Sequence, residues 1–401
     1  METIKWAVNH MPKTEDANLP VMALSEVEKA RTFHESFPQY SVTPLVKLNH
    51  MAEKLGLGSL YIKDESYRFG LNAFKVLGGS FAWHVTSHSR QGKMSASFPT
   101  TSSLLKRSKK EFGQATFFTA TDGNHGRGVA WAANKLGQKA VVLMPKGSTQ
   151  TRLNNIRKEG ATATIEECNY DECVRMAADM AARTEHGIIV QDTAWDGYEE
   201  IPAWIMQGYG TMAMEADDQL HEDGCEAPTH VFIQAGVGSL AGAVQGYFAN
   251  RYPKTPPKVV VVEAEAAACL YKGAAAGDGA IRIVDGDMPT IMAGLACGEP
   301  NTISWDILKN HVDTFVAAPD WVAAKGMRML AAPIKGDTPV TSGESGAAPF
   351  GTLACIMCMD EYQELREHLG LDETSRVLLF STEGDTDPTR YESIVWDGNE
   401  R

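Results

Sequence analysis

The chain has 401 residues, of which 43% are hydrophobic and 22% are charged, and its formal net charge at pH 7 is −14. This length suffices for two domains with their own cores, and the acidic balance argues against nucleic acid as a partner. Apolar runs are shorter than the ~20 residues of a membrane-spanning helix, and seven scattered cysteines do not suggest a disulfide framework, so we expect a cytoplasmic protein without a membrane partner.

The first regular series of elements occupies the middle of the chain. Ahead of it we predict a strand at 59–63 and a helix at 74–86, and a basic cluster at 106–110 is interpreted as a solvated helix face. The series itself alternates apolar strands with amphipathic helices: strands at 117–121, 140–144, 162–166 and 188–191, helices at 123–136, 149–159 and 171–183. Such alternation is typical of right-handed βαβ units and a parallel sheet.

A second series follows and defines the predicted domain organisation. It contains helices at 202–220 and 240–247 and strands at 230–234, 258–263 and 376–380. We therefore predict an α/β fold with two parallel or mixed sheets. A large discontinuous domain would comprise residues 1–89 and 193–401, and a small domain would comprise residues 90–192.

A glycine-rich turn, QAGVGSLAG at 234–242, follows the predicted buried strand. Its glycines let consecutive backbone N–H groups converge, and the helix that begins there adds a positive N-terminus, which together suit a phosphate. The same spacing fits the dinucleotide fingerprint, with Glu263 as the acid at the end of the next strand. A purely structural turn is the third interpretation, so the motif alone does not identify a cofactor.

Lys75 lies in a stretch of apolar and small residues, NAFKVLGGS at 72–80, where a helix begins. Desolvation there is expected to lower the pKa of the ammonium group, which a nucleophilic lysine requires. The alternative is an ordinary helix lysine whose stem packs on apolar neighbours.

Two polar turns complete the set of motifs. TATDGNHGRG at 119–128 ends a strand and begins a helix, whose free N–H groups suit a carboxylate. Asp122 in that turn is costly at an anion site unless it has a task, although it could simply cap the helix. Ser381 ends the last predicted strand and, with Thr382 as the alternative, offers a hydroxyl to a ring nitrogen.

In this order and spacing, the four motifs resemble the fold type II pyridoxal-phosphate (PLP) enzymes, the family of the tryptophan synthase β-subunit. The resemblance spans roughly residues 43–388. Finer detail resembles the ammonia-lyase branch, whose substrate is 2,3-diaminopropionate, in the segments 73–79, 120–128, 191–195, 202–209 and 291–300. Dehydratase relatives usually have serine where this chain has Asp122.

The resemblance implies PLP in the cleft between two domains, and α,β-elimination of diaminopropionate to pyruvate and ammonia on the D-isomer, the L-isomer or both. Lys75 would carry the cofactor as a Schiff base and, with Asp122, serve as a base for opposite enantiomers, while Asp192 would bind the second ammonium group. The implied cofactor contacts are Asn124 and Ser381 or Thr382 for the ring, and Gly236, Val237, Gly238, Ser239 and Leu240 for the phosphate. The implied substrate-carboxylate site is Thr121, Gly123, Asn124 and His125.

Several alternatives stay open from the sequence. A serine or threonine dehydratase would use the same cofactor, whereas a nicotinamide-dependent oxidoreductase or a nucleotide-binding module would use the turn at 234–242 differently. Asp192 could be a strand-end cap. No metal site is predicted, because Cys355 and Cys358 form an isolated pair in an apolar helical stretch. The family resemblance also implies a homodimer.

Overall fold

A computed structural model describes residues 2–14, 19–89 and 114–400. The basic cluster at 106–110 and the predicted start of the small domain at residue 90 lie outside these ranges. The N-terminal elements are β1 (Lys5–Val8), α1 (Leu24–Glu35), β2 (Leu45–Lys47), α2 (Asn49–Leu55), β3 (Ser59–Asp64) and α3 (Val76–Ser89). The middle elements are β4 (Thr116–Ala120), α4 (Asn124–Lys135), β5 (Lys139–Met144), α5 (Gln150–Lys158), β6 (Thr162–Ile165), α6 (Tyr170–Arg183) and β7 (Gly187–Ile189).

The remaining described elements return the chain to the N-terminal strands. They are α7 (Glu200–Glu222), β8 (His230–Gln234), α8 (Ser239–Arg251), β9 (Lys258–Ala264), α9 (Cys269–Ala276), α10 (Thr302–His311), β10 (Thr314–Ala318), α11 (Asp320–Ala331), α12 (Glu344–Cys358), α13 (Gln363–Leu369), β11 (Arg376–Ser381) and α14 (Pro388–Val395). Among the helices of the described part, none is long and apolar enough to cross a membrane.

Two sheets organise these elements. The larger sheet has the strand order β1-β10-β9-β8-β11-β3-β2, and its five inner strands are parallel while β1 and β2 pair antiparallel at the edges. The smaller sheet has the order β6-β5-β4-β7 and is parallel throughout. The α/β prediction with parallel and mixed sheets is therefore confirmed.

The inner strands of the larger sheet are buried along most of their length. All five residues of β8 are buried, and β9 contributes four consecutive buried valines at 259–262. Burial on both faces is expected for parallel strands that helices cover on both sides. Because β1 and β2 are short and only partly buried, their apolar pattern was too weak for a prediction, and both were missed, as was the buried β10.

The functional motifs follow the carboxyl ends of strands in both sheets. Asp122 follows β4, Asp192 follows β7, and Gly236 follows β8. Ligands of open parallel sheets bind at this end of the strands. Gly128 brings the motif-bearing helices together, because a Cβ atom there would lie 2.8 Å from Val76 Cα. Helices α3 and α4 are thus in backbone contact.

Candidate active site

A cleft at the carboxyl ends of the strands brings most of the predicted residues together. Those that line it are Lys75, Thr121, Asp122, Asn124, His125, Asp192, Gly236, Val237, Gly238, Ser239, Leu240 and Thr382. Gly123 and Ser381 are not among the described residues that line it. The Ser381 side chain is buried, and its hydroxyl donates to Ser342 Oγ at 2.8 Å.

We call the first cluster of polar side chains in the cleft the Lys75 group; it comprises Lys75, Asp192, His125, Tyr170 and Tyr209. The Lys75 ammonium group donates to Asp192 Oδ2. The hydroxyls of Tyr170 and Tyr209 each donate to the same carboxylate at 3.4 Å, and His125 Nδ1 lies 3.7 Å from Asp192 Oδ2. Asp192 itself is buried, so this carboxylate is surrounded by donors.

Charge attraction outweighs burial in the Lys75 group. Burial is the largest single effect and lowers the pKa of Lys75, but Asp192 together with Tyr209 and Asp122 outweighs it, so the pKa stands well above the ordinary value of 10.5. Burial likewise raises the pKa of Asp192, yet His125 and Lys75 hold it well below its usual range. The expectation of a lowered net pKa for Lys75 is therefore wrong in this structure, because a carboxylate partner 117 positions away in sequence outweighs the desolvation.

The second cluster, the Arg152 group, comprises Asp122, Arg152, Glu344 and Glu383. Arg152 is buried in the first turn of α5, and its Nη1 donates to Asp122 Oδ2 at 3.3 Å. Its Nη2 lies 3.8 Å from Glu344 Oε2. Glu383 is buried at the wall of the cleft, where it accepts hydrogen bonds from the Asn124 side chain and the main chain of Ser345.

Arg152 thus contacts the carboxylates of Asp122 and Glu344 and attracts that of Glu383, while Glu344 Oε1 also lies 3.3 Å from Arg390 Nε. Burial and the neighbouring Glu383 raise the pKa of Glu344 to about 7, against the pull of Arg152 and Arg390. Burial also raises the pKa of Glu383. Two acids of this cluster, Glu344 and Glu383, therefore have a raised pKa, whereas the pKa of Asp192 in the Lys75 group is lowered.

The turn after β8 has the geometry of an anion site. Gly238 adopts φ of +98° and caps the N-terminus of α8, a conformation that favours glycine. A Cβ atom on Gly236 would lie 3.2 Å from the Gly294 carbonyl oxygen, so the backbone segments approach closely. The Ser239 hydroxyl ties this turn to the Lys75 group by donating to the main-chain carbonyl of Asp192. The N–H groups of the turn and of the first residues of α8 suit a phosphate.

A hydroxyl is available on another wall of the cleft. Gln234 Nε2 donates to Thr382 Oγ1 at 2.6 Å, so the Thr382 proton can be donated to an acceptor in the cleft. An amine, a phosphate cradle and a hydroxyl donor in one cleft fit a phosphate-bearing pyridine aldehyde such as PLP.

In the structure, Glu263 is not available for the role that the dinucleotide interpretation gives to an acidic residue. Glu263 is buried and accepts hydrogen bonds from the main-chain N–H groups of Leu270 at 2.9 Å and Tyr271 at 2.6 Å. Burial raises its pKa to about 8. Its oxygens are therefore used at the start of α9 and are not presented to a ribose.

In the turn that is predicted to bind the substrate carboxylate, some of the main-chain N–H groups already have hydrogen-bond acceptors within the turn. The N–H groups of Gly123 and Gly126 donate to Thr121 Oγ1 at 2.9 and 3.0 Å. Asn124 and His125 begin α4, where the main-chain N–H groups have no partner within the helix. These two N–H groups are the better candidates for binding a carboxylate.

Sequence reasoning missed five residues of the site. Gln234 and Glu383 lie inside motifs that were identified, but their side chains were given no role. Arg152 lacks any local signal, since it is one of several basic residues on an amphipathic helix. Tyr170 and Tyr209 lie on long helices, where an aromatic residue is more often part of the core.

Comparisons with known proteins agree with this geometry. Residues 37–380 match the family described as pyridoxal-phosphate dependent enzyme. The diaminopropionate ammonia-lyase of Salmonella typhimurium is 54% identical over 369 residues, which cover 91% of each chain. The Escherichia coli K12 protein of the same name is 46% identical over 381 residues, covering 94% of this chain and 93% of the relative. The crystal structure of diaminopropionate ammonia lyase from Escherichia coli with an aminoacrylate-PLP azomethine intermediate has a TM-score of 0.89 at 42% identity, covering 100% of this chain and 98% of that one.

Proposed function

The chain belongs to the family of pyridoxal-phosphate dependent enzymes, as its motifs predicted, and from this premise we propose that it is a lyase acting on 2,3-diaminopropionate. The reaction is α,β-elimination, with pyruvate and ammonia as products. One observation carries the proposal: Lys75, Asp122 and Asp192 lie in one cleft beside a glycine-rich phosphate cradle, in a chain so similar to diaminopropionate ammonia-lyases.

The cofactor, when bound, supplies an electron sink that makes the α-proton of the substrate acidic. The turn of residues 236–240 would hold its phosphate, and the Lys75 amine would be its covalent attachment point. The Thr382 hydroxyl, oriented by Gln234, is the better donor to the ring nitrogen than Ser381, whose hydroxyl is used by Ser342. A neutral hydroxyl cannot protonate the ring, which favours prompt loss of a β-substituent.

The positive charge on the second amino group of diaminopropionate explains why a carboxylate such as Asp192 would bind it. Diaminopropionate carries a second ammonium group, which can replace the Lys75 ammonium group on the Asp192 carboxylate. Lys75 then loses the neighbour that raises its pKa and is more readily deprotonated to act as a base. Serine and threonine present a neutral hydroxyl instead, so they cannot make this exchange, which disfavours the dehydratase alternative.

Asp122 is the proposed second base. It lines the cleft and is bonded to Arg152 rather than to the Lys75–Asp192 pair. Two bases with different anchors can take the α-proton from opposite sides of the bound substrate. Lys75 would serve one enantiomer and Asp122 the other, and the N–H groups of Asn124 and His125 would bind the substrate carboxylate in both cases.

The deciding experiment measures pyruvate release from D- and L-diaminopropionate for the parent enzyme and for Asp122→Asn. We expect the variant to lose roughly 10²–10⁴-fold in turnover of the D-isomer, as for a lost general base, and much less for the L-isomer. Equal losses on both isomers would contradict the two-base assignment.

A substrate comparison tests the alternative reaction. The parent enzyme is given serine and threonine beside diaminopropionate, and pyruvate and 2-oxobutyrate are measured. We expect diaminopropionate to be the preferred substrate by kcat/KM. Faster conversion of serine or threonine would identify a dehydratase.

We also propose the domain division, the location and the assembly that the sequence suggested. The smaller sheet is built within residues 116–189 and the larger sheet from strands on either side of it, which supports a small domain of 90–192 inserted into 1–89 and 193–401. All seven cysteines are free, in keeping with the cytoplasm. Sedimentation analysis of the holoenzyme tests the proposed homodimer.

A further inference from the structure

We propose that Arg152 is a positioning residue that orients Asp122 and keeps it available as a base. This inference rests on the proposed function of Asp122. It concerns a residue that lies on a different helix, 30 positions away in sequence.

The contacts of Arg152 hold both the carboxylate and the turn that carries it. Within the described ranges, Arg152 makes the only hydrogen bond to the Asp122 carboxylate, from Nη1 to Oδ2 at 3.3 Å. The arginine stem packs on the same turn, since a Cβ atom on Gly123 would lie 3.2 Å from Arg152 Cδ. With Oδ2 held in this way, Oδ1 is the oxygen left to accept a proton.

Burial makes this contact more than a surface ion pair. The Arg152 side chain is 7% exposed and that of Asp122 is 18% exposed. Exposed ion pairs contribute little, whereas a charge–charge hydrogen bond shielded from water fixes geometry and charge together. A carboxylate without such a bond would be free to rotate away from the substrate, and a misplacement of ~1 Å can cost about 10²-fold in rate.

The charge balance around Asp122 depends on Arg152. The titratable and charged groups that face Asp122 from the surrounding elements are Lys75, His125, Arg152, Tyr170, Tyr209, Cys297 and Glu383. Lys75 is already paired with Asp192, and Glu344 adds a further acid beside Arg152. Without Arg152, Glu344 would keep Arg390 at 3.3 Å, but Asp122 and Glu383 would lose the guanidinium group that attracts them and would bind protons more readily.

The consequence for catalysis is specific to one enantiomer. A base must be deprotonated to act, so a loss of nearby positive charge moves the acidic limb of its pH profile to higher pH. Turnover through Lys75 does not use Asp122 and should keep its profile. Arg152 variants should therefore resemble Asp122→Asn in their choice of isomer.

The experiment uses holoenzyme and compares Arg152→Met with Arg152→Lys. Both isomers are assayed for kcat and KM across a range of pH. For Arg152→Met we expect kcat on the D-isomer to fall by roughly 10–10²-fold, with its acidic limb at higher pH, while KM and the L-isomer profile change little. Arg152→Lys keeps the charge but not the planar fork, so it should restore the acidic limb and only part of kcat.

Arg157→Met is the matched control. Arg157 lies on the same helix, is exposed, and donates to the main-chain oxygen of Ala163 at 2.7 Å, away from the cleft. This variant should match the parent on both isomers. Thermal unfolding and the cofactor absorption spectrum of each variant report whether the fold and the cofactor site are intact.

The outcomes separate this inference from the proposed function. Equal losses on both isomers in Arg152→Met, with an unmoved acidic limb, would show a merely structural role and overturn the inference, even if Asp122→Asn is selective. If Asp122→Asn is not selective, the base assignment itself fails. Should Arg152→Met not fold, Arg152→Lys decides: an unchanged kcat on the D-isomer contradicts the positioning role, and a selective fall supports it.

Discussion

The Lys75 group and the Arg152 group of the cleft balance their buried charges in different ways. In the Lys75 group, one ammonium group and one carboxylate are matched, and tyrosine hydroxyls complete the hydrogen bonds. In the Arg152 group, one guanidinium group lies among three carboxylates. The first cluster therefore stays charged over a wide pH range, while burial in the second brings the pKa of Glu344 to about 7.

This difference suggests a division of labour within one cleft. A matched pair can exchange partners without a change in net charge, which suits a site where a substrate ammonium group replaces a lysine. An acid-rich cluster is held together by its one buried cation, so its proton occupancy depends on that cation. Substitutions in each cluster should accordingly show different signatures, and the following predictions run from the largest expected effect to the smallest.

Removal of the amine in the Lys75 group should have the largest effect. We expect Lys75→Ala to abolish turnover of both isomers, because the attachment point of the cofactor and one base are lost together. Mass spectrometry after borohydride treatment should find no cofactor covalently bound to the variant. Lys139→Ala, at an exposed position at the start of β5, should retain trapping. Covalent cofactor in Lys75→Ala would refute the central assignment.

Replacing Asp192, the acidic member of the Lys75–Asp192 pair, tests whether the substrate ammonium group takes the place of Lys75 on this carboxylate. In Asp192→Asn, burial acts on Lys75 without its carboxylate partner, so the pKa of Lys75 should fall below that of the parent. The loss of a buried charge partner should raise KM for diaminopropionate by roughly 10²-fold. KM for serine should change far less, so the ratio of the two constants is the measurement. A parallel rise in both would count against charge recognition by Asp192.

The helix contact between the two motifs should be sensitive to a single methyl group. A Cβ atom in Gly128→Ala would lie 2.8 Å from both Val76 Cα and its main-chain nitrogen, so the two helices must separate. We expect the free energy of unfolding to fall by about 1–3 kcal/mol, with lower kcat on both isomers. Gly79→Ala is the graded control, because its nearest neighbour is a Val129 side-chain methyl group at 3.3 Å. Equal stability losses in the two variants would argue against a backbone clash.

The smallest effect concerns the pH dependence of stability. Burial raises the pKa of Glu344 from 4.5 to about 7, so the folded protein holds a proton that the unfolded chain has released. Stability from this group is present below pH 4.5 and is lost as pH rises to about 7. Glu344→Gln has no carboxyl group to titrate and should not lose this stability. Its unfolding temperature should therefore rise relative to that of the parent between pH 4.5 and about 7. If the unfolding temperatures of the parent and of Glu344→Gln change in parallel with pH, the raised pKa of Glu344 is contradicted.

Local signals in the chain predicted much of the fold. The strand at 230–234 was predicted with the bounds of β8, and the strand at 376–380 ends one residue before β11 does. Both have an apolar centre, at 231–233 and 377–380, followed by a polar or glycine-rich turn, so they can be predicted without knowledge of distant residues. Strands β1 and β2 were missed because they are short edge strands, and their pairing with β10 and β3 is a tertiary contact.

The sequence by itself determined the chemical parts of the site: an amine at the start of a helix, a glycine-rich cradle, and carboxylates at the ends of strands. Each is encoded by neighbouring residues. Only the tertiary structure decided their charge states, because a pKa depends on neighbours in space. Asp192 accepts a hydrogen bond from Lys75, which is 117 positions away in sequence. Arg152 attracts acidic side chains from three separate segments of the chain. Lys75 is therefore held as an ammonium group, a property that its own apolar surroundings would not suggest.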